Sequence, residues 1–315
     1  MNTNIRTAEF VSPKHPDKTC DRIADTLLDA YLAGDPKSRV AVEVMGGHGQ
    51  ISVSGEVTSK TEIDIPKIVR SVAGDDYEIH VYLTKQSPAI AQGVDTGGAG
   101  DQGIMIGYAT RETENFMPLE YELARKLCRS IYEKYPFDGK TQVTVKGGKV
   151  RTVVASFQNT KTADLEKLVR GLIEADEYLV NPAGEWTMGG FDADSGLSGR
   201  KIVVDNYGPE IGVGGGSFSG KDYTKVDRSG AYMARRIAVD CLRKNPNVSI
   251  VRVKLAYAIG KKDPVMAVAE LDGQETSIKG YDLAPDGIRR FLELDKMRWA
   301  ETAEWGHFGK TFSWS

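Results

Sequence analysis

Apolar and polar positions along this chain follow a helical period, then a strand period, then a helical one, and that order recurs. Cys20, Ile23, Ala24, Leu27, Leu28 and Tyr31 fall at three- and four-residue spacing, which predicts an amphipathic helix over 16–32. Pro16 suits a first helical position, Asp17 and Asp21 suit the positive end of the helix dipole, and Gly34 ends the pattern. Two strand-like segments follow, 40–45 and 51–57, joined by Gly46-Gly47-His48-Gly49. A second helix is predicted near 64–72.

The same order returns twice. Residues 119–135 read as a helix, 142–145 and 150–157 as a hairpin about Gly147-Gly148, and 163–175 as a helix. Residues 228–244 are again helical, 249–258 and 265–271 are strands about Gly260, and 285–294 are helical. Three helix–hairpin–helix units at a spacing of roughly 100 residues form an internal repeat of elements, though the letters match poorly. The expected fold is α+β, with three similar subdomains, each a sheet with helices on one face. Their expected bounds are 1–92, 101–188 and 190–315. Val143, Val145, Val153 and Ala155 suit either a helix-facing or an interface side. The stretches 93–100 and 207–220 read as flexible connectors.

Composition narrows the class. With 315 residues, 40% hydrophobic and 27% charged, the chain has the profile of a soluble globular protein with room for a sizeable core. A net charge of −3 gives no global basic field, so neither nucleic acid nor a membrane is expected as a partner. No apolar run approaches a membrane span, and residues 1–11 have no secretory apolar core. Cys20, Cys128 and Cys241 lie far apart without CxxC spacing, each on a predicted helix. That argues for a reducing compartment, hence a cytoplasmic location, and for cysteine as apolar filler rather than disulfide or zinc ligand.

Candidate chemistry concentrates in the run 214–228 (GGGSFSGKDYTKVDR). Glycines let backbone N–H groups converge on an anion, lysines neutralise phosphate oxygens, and a carboxylate among them can hold a divalent cation shared with the phosphates. Gly215-x4-Gly220-Lys221 matches a P-loop for seven positions, but the eighth is Asp222 rather than Ser or Thr, and five residues separate Lys221 from the next helix. A P-loop is therefore set aside. His15-Pro16-Asp17-Lys18 opens the first helix, where phosphate is favoured, and Asp17 could pair with Asp227 around magnesium. Arg200 and Lys201, entering an expected strand over 202–205, would point to opposite faces and flank a polyphosphate. Glu43 and Glu56 stand on strands, Glu56 as a solvent-facing member. No Ser–His–Asp or Cys–His arrangement can be read from four histidines.

Taken together, HPDK (15–18), KQSP (85–88), GAGDQG (98–103), GLSGRK (196–201), GGGSFSGKD (214–222) and KVDRS (225–229) strongly resemble the S-adenosylmethionine synthetase family. The resemblance spans nearly the whole chain, to GHFG (306–309), and six motifs in order make it specific. It implies three subdomains about a pseudo-threefold axis and a two-step reaction. Methionine sulfur attacks C5′ of ATP and expels tripolyphosphate, which is hydrolysed to diphosphate and phosphate. A thioether is already a neutral nucleophile, so no general base is needed, and catalysis consists of alignment and charge stabilisation. By this resemblance His15, Lys140, Arg200, Lys201, Lys221 and Lys225 are the catalytic set. ATP is met by His15, Asp138, Lys140, Trp186, Asp194, Arg200, Lys201, Ser217 and Lys221, with Trp186 against adenine. Methionine is met by Glu56, Gln86, Asp101, Asp194 and Lys225. Asp17 and Asp227 resemble Mg2+ ligands and Glu43 a K+ ligand. The family's sites form between two subunits, so a homodimer is implied, with a dimer of dimers also open.

This chain departs from the family pattern in places. Lys14 replaces the usual glycine before HPDK, Asn159 stands where many members have histidine, and length is missing before Lys85 and between Gln92 and Asp101. Two other functions stay open: a tripolyphosphatase or ATP hydrolase that has lost the alkylation step, and a regulatory subunit that only binds nucleotide or a partner. Glu56, Gln86 and Asp194 speak against the first, and His15, Lys221 and Asp227 against the second.

Overall fold

The chain begins with a segment that its local pattern does not announce, β1 (Ile5–Val11), and then follows the expected order as α1 (Pro16–Gly34), β2 (Arg39–Gly47), β3 (Gln50–Thr58) and α2 (Ile65–Ala73), with β4 (Glu78–Thr84) added. The second unit is β5 (Gly103–Thr110), α3 (Leu119–Lys134), β6 (Gly139–Lys146), β7 (Lys149–Phe157), α4 (Thr162–Leu172) and β8 (Glu177–Val180). The third is β9 (Gly196–Leu197), α5 (Ile202–Asp205), α6 (Val226–Lys244), β10 (Ile250–Tyr257), β11 (Met266–Leu271), β12 (Gln274–Ser277) and α7 (Pro285–Phe291). These assignments come from a computed structural model that describes residues 4–85 and 97–315.

Three four-stranded sheets result, ordered β4-β3-β2-β9, β1-β6-β7-β8 and β12-β11-β10-β5. Helices α1, α3 and α6 each lie on one of them, so the three-subdomain α+β architecture is as expected. Every sheet also takes a strand from another part of the chain. β1 runs antiparallel along β6 from Ile5↔Lys146 to Val11↔Lys140, β5 runs along β10, and β9 pairs with the end of β2 at Met45↔Leu197. These exchanges place the polar motifs. β1 carries the chain directly into His15 beside the start of β6, where Lys140 lies, and β9 carries Arg200 and Lys201 to the N-terminus of α1.

The first core layer shows how pattern becomes packing. Cys20, Ile23, Ala24, Leu27 and Leu28 of α1 are fully buried, as are Val40, Val42 and Val44 of β2 and Ile51 and Val53 of β3. Each such valine, leucine or isoleucine side chain contributes roughly 1.5–3 kcal/mol of transfer free energy. Val143, Val145, Val153 and Ala155 are buried as well, which settles their side as the core-facing one. Cys20 and Cys128 are buried fillers, while Cys241 is only half-buried.

Some elements differ from expectation. Residues 202–205 form the one-turn helix α5, not a strand: Asp205 N–H bonds to Lys201 O at 2.9 Å and Asn206 N–H to Ile202 O at 3.1 Å. A β-branched triplet imitates a strand, but the turn carries the Asp205 carboxylate inward to Lys18. α4 stops at Leu172 and α7 at Phe291, both earlier than the apolar period suggests. Under the glycine-rich run lies an aromatic cluster. Phe218 meets the edges of His307 and Phe308 at 4.9 and 6.0 Å, and Tyr232 stacks on Trp314 at 3.9 Å.

Candidate functional site

The N-terminus of α1 is built around one buried carboxylate. His15 caps the helix, its Nδ1 accepting the Asp17 N–H at 3.2 Å. Asp17 is fully buried, and Arg200 Nε lies 2.9 Å from its Oδ1 while Lys201 Nζ lies 2.6 Å from its Oδ2. The two cations therefore converge on one residue, where a strand would have sent them to opposite faces. Leu197 N–H adds a third contact to Asp17 at 2.9 Å. Burial by itself would raise the Asp17 carboxyl, but the bonds from Lys201, Leu197 and Arg200 outweigh it and hold it below the usual range. Gly196 permits this approach: a Cβ there would sit 2.3 Å from Pro16 O.

His15 is pushed down to about 3, first by burial and then by the charges of Lys201 and Lys140. Because Nδ1 accepts a hydrogen bond, the neutral ring carries its proton on Nε2 and can donate it to an anionic oxygen. Histidine NMR should therefore find His15 neutral from pH 8 down to pH 5. A titration midpoint between pH 6 and 7 would contradict this picture.

The glycine-rich run forms the second group. Lys221 Nζ lies 2.9 Å from Asp227 Oδ2, and Gly216 N–H donates to Asp227 Oδ1 at 2.9 Å. Backbone bonds stitch the run to β2: Val42 N–H to Gly220 O at 3.1 Å and Asp222 N–H to Val40 O at 3.2 Å. Asp222, the residue that breaks the P-loop match, is fully buried; it takes Val40 N–H at 2.7 Å and Lys225 Nζ at 2.5 Å. Its carboxylate thus ties Lys225 to the sheet. Gly220 has φ +79° and would place a Cβ 2.1 Å from Val42 O, so no other residue fits. Ser217 touches Gly199, next to Arg200, which brings the two groups into contact.

The remaining candidates have contacts of their own. Asp138 is buried, accepts Gly190 N–H at 3.0 Å, and is raised by burial; Lys140 is exposed nearby. A cavity of about 390 Å³ lined by Lys14, Phe137, Asp138, Gln158 and Phe191 opens beside it. Trp186 is half-buried, with its Nε1 directed to Ser156 Oγ at 3.3 Å. Glu43 accepts from Ser198 Oγ at 2.6 Å. Glu56 is exposed on the helix-free face of the first sheet, opposite Ala41, and Asp101 and Asp194 are exposed, each carboxylate accepting the N–H of the next residue. Gln86 lies outside the described residues. Among the described residues no cluster of three or more His, Cys, Asp or Glu side chains could hold a metal on its own, and Asp17 and Asp227 offer one carboxylate each.

Several supporting residues escape a reading of motifs. Lys18 bridges Asp21 and Asp205, all three buried; Asp21 is pushed up to about 7 by burial, while the two acids outweigh the burial of Lys18 and keep it charged. Asp25 pairs with Arg228, both fully buried. The available signal was the four-residue spacing of Asp17, Asp21, Asp25 and Asp29 along α1.

Comparison with known proteins adds family. Models described as the N-terminal, central and C-terminal domains of S-adenosylmethionine synthetase match residues 3–92, 96–186 and 188–315. A protein of Nocardia farcinica (strain IFM 10152) named S-adenosylmethionine synthase is 40% identical over 379 aligned positions, covering 98% of this chain and 94% of that one. One of Parafrankia sp. (strain EAN1pec) with the same name is 39% identical over 384, covering 100% and 96%. These alignments are longer than the chain's 315 residues, so both relatives carry segments with no counterpart here.

Proposed function

Since the chain belongs to the S-adenosylmethionine synthetase family, we propose that the site described above joins ATP and L-methionine into S-adenosylmethionine and then hydrolyses the tripolyphosphate to diphosphate and phosphate. The supporting observation is the pairing of charges. Asp17 holds Arg200 and Lys201, and Asp227 holds Lys221, so cations and carboxylates stand ready to exchange partners. An arriving triphosphate would compete for the three cations, and the two released carboxylates would suit a hard divalent ion. Magnesium held by Asp17 and Asp227 would neutralise charge on the leaving oxygens. Glu43, with the Ser198 hydroxyl, offers oxygen donors suited to potassium.

The chain's own groups then act by placement. The sulfur lone pair forms the S–C5′ bond while the C5′–O bond breaks, its electron pair leaving on tripolyphosphate. His15, neutral with Nε2–H free to donate, Lys140, Arg200, Lys201 and Lys221 meet that oxygen and the chain of phosphates; Ser217 and Asp138 line their path. Trp186 offers a face for adenine and Asp194 an acceptor for the ribose or the methionine amine. Lys225 meets the methionine carboxylate, with Glu56, Gln86 and Asp101 around the amino acid. Water then attacks phosphorus and cleaves one P–O–P bond of the held tripolyphosphate.

A hydrolase that lacks the alkylation step would consume ATP without methionine. The test is ATP consumption with magnesium, with and without L-methionine. Dependence on methionine is expected, and equal rates would overturn the reading.

The proposed working unit is a homodimer of chains whose subdomains are 1–92, 101–188 and 190–315. Glu56 shares an exposed sheet face with Met45 and Tyr82, 57% and 63% exposed. A second copy would complete the methionine side. Sedimentation and activity should fall together on dilution, and a fully active monomer would contradict the dimer. Among the described residues no helix is long and apolar enough to cross a membrane, and a cytoplasmic location is part of the proposal.

A further inference from the structure

We infer that the buried Asp25–Arg228 pair is a positioning device for Lys221, fixing the direction in which its side chain leaves the backbone. The inference rests on the role proposed above for Lys221. Asp25 Oδ1 accepts the Gly220 N–H at 2.9 Å, which holds the peptide before Gly220. Arg228 Nη1 donates to Lys221 O at 3.1 Å, which holds the peptide after Lys221. The peptide between them is tied by Gly220 O to Val42 N–H at 3.1 Å. Three consecutive peptide units are thus fixed, two of them by one ion pair, and the Cα–Cβ direction of Lys221 follows from those planes.

The pair is itself rigid. Arg228 meets Asp25 through two parallel bonds of 2.7 and 3.0 Å, donates to Thr302 Oγ1 at 2.7 Å and Tyr232 OH at 3.0 Å, and lies 4.2 Å over the Trp299 ring. Asp25, Arg228, Thr302 and Tyr232 are all fully buried, so none of them meets substrate. A buried ion pair is often no more stabilising than apolar residues of the same shape, so net stability does not explain its presence. What apolar residues could not do is hold an N–H and a C=O of the same turn, two groups of opposite polarity. The pair also ties α1, which carries Asp17 two turns earlier, to the first turn of α6, where Arg228 follows Asp227.

The test is calorimetric binding of tripolyphosphate with magnesium, with thermal unfolding measured on every variant. Asp25→Asn and Arg228→Lys should each weaken binding by about tenfold while Lys221 is present, and add nothing in a Lys221→Met background. In turnover, kcat should fall and the KM for methionine should stay unchanged. Where either substitution prevents folding, Thr302→Val removes a hydroxyl that accepts from Arg228 and donates to Trp299 O, and should show the same coupling at smaller size. Equal losses with and without Lys221, or unchanged affinity in a folded Asp25→Asn protein, would overturn the inference. Binding that depends on Lys221 in a protein that makes no S-adenosylmethionine would leave the inference standing and remove the functional reading instead.

Discussion

Replacing Asp17 with asparagine is expected to lower S-adenosylmethionine formation by about 10³-fold. Asparagine preserves shape and can still accept the Leu197 N–H, so the end of α1 should stay folded. It removes the charge that holds Arg200 and Lys201 in place and, on the present account, a metal contact as well. Loss of those functions together makes this the largest single effect in the site. The magnesium concentration giving half-maximal rate should rise too. Steady-state rates over a magnesium series would check both; a variant within tenfold of wild type at every concentration would sink the assignment.

Lys221→Met should cost a factor on the order of 10², as loss of one preorganised electrostatic contact does. Methionine keeps the length and apolar stem of lysine, and Lys221 is partly exposed, so folding should be little changed. Asp227 would lose its ammonium partner but keep the Gly216 N–H. The loss should appear in kcat and in ATP affinity. Product formation at the wild-type rate with saturating ATP would show that Lys221 does not stabilise the leaving phosphates.

How far the sequence reveals this site depends on how local each interaction is. Lys221, Lys225 and Asp227 sit in one short run, so glycine content and charge expose them together. The helices α1, α3 and α6 are legible because their apolar stripes repeat over many residues. β1 is not, since Arg6, Thr7 and Glu9 interrupt it and its partner β6 comes more than a hundred residues later. Residues 202–205 mislead because a β-branched triplet favours a strand locally, whereas the long-range pull of Lys18 on Asp205 accompanies a turn of helix. Asp21 reads only as a complement to the helix dipole and Asp25 carries no signal of its own; their burial becomes visible only once Gly199, Gly220 and Arg228 arrive from the other end of the chain. Asp25 and Arg228 are 203 residues apart, and no spacing rule joins them. Glu56 looks solvent-facing from the strand pattern and is exposed in the single chain, so neither pattern nor fold marks it, and the methionine role proposed for it depends on the proposed second copy.

Transfer of the adenosyl group to sulfur is reported directly by its products. The purified chain with ATP, L-methionine, magnesium and potassium should be followed by mass spectrometry for the sulfonium product and by phosphorus NMR for the rest. One S-adenosylmethionine should form for each diphosphate and each phosphate released, with no free ADP. Phosphate and ADP appearing without S-adenosylmethionine would contradict the account.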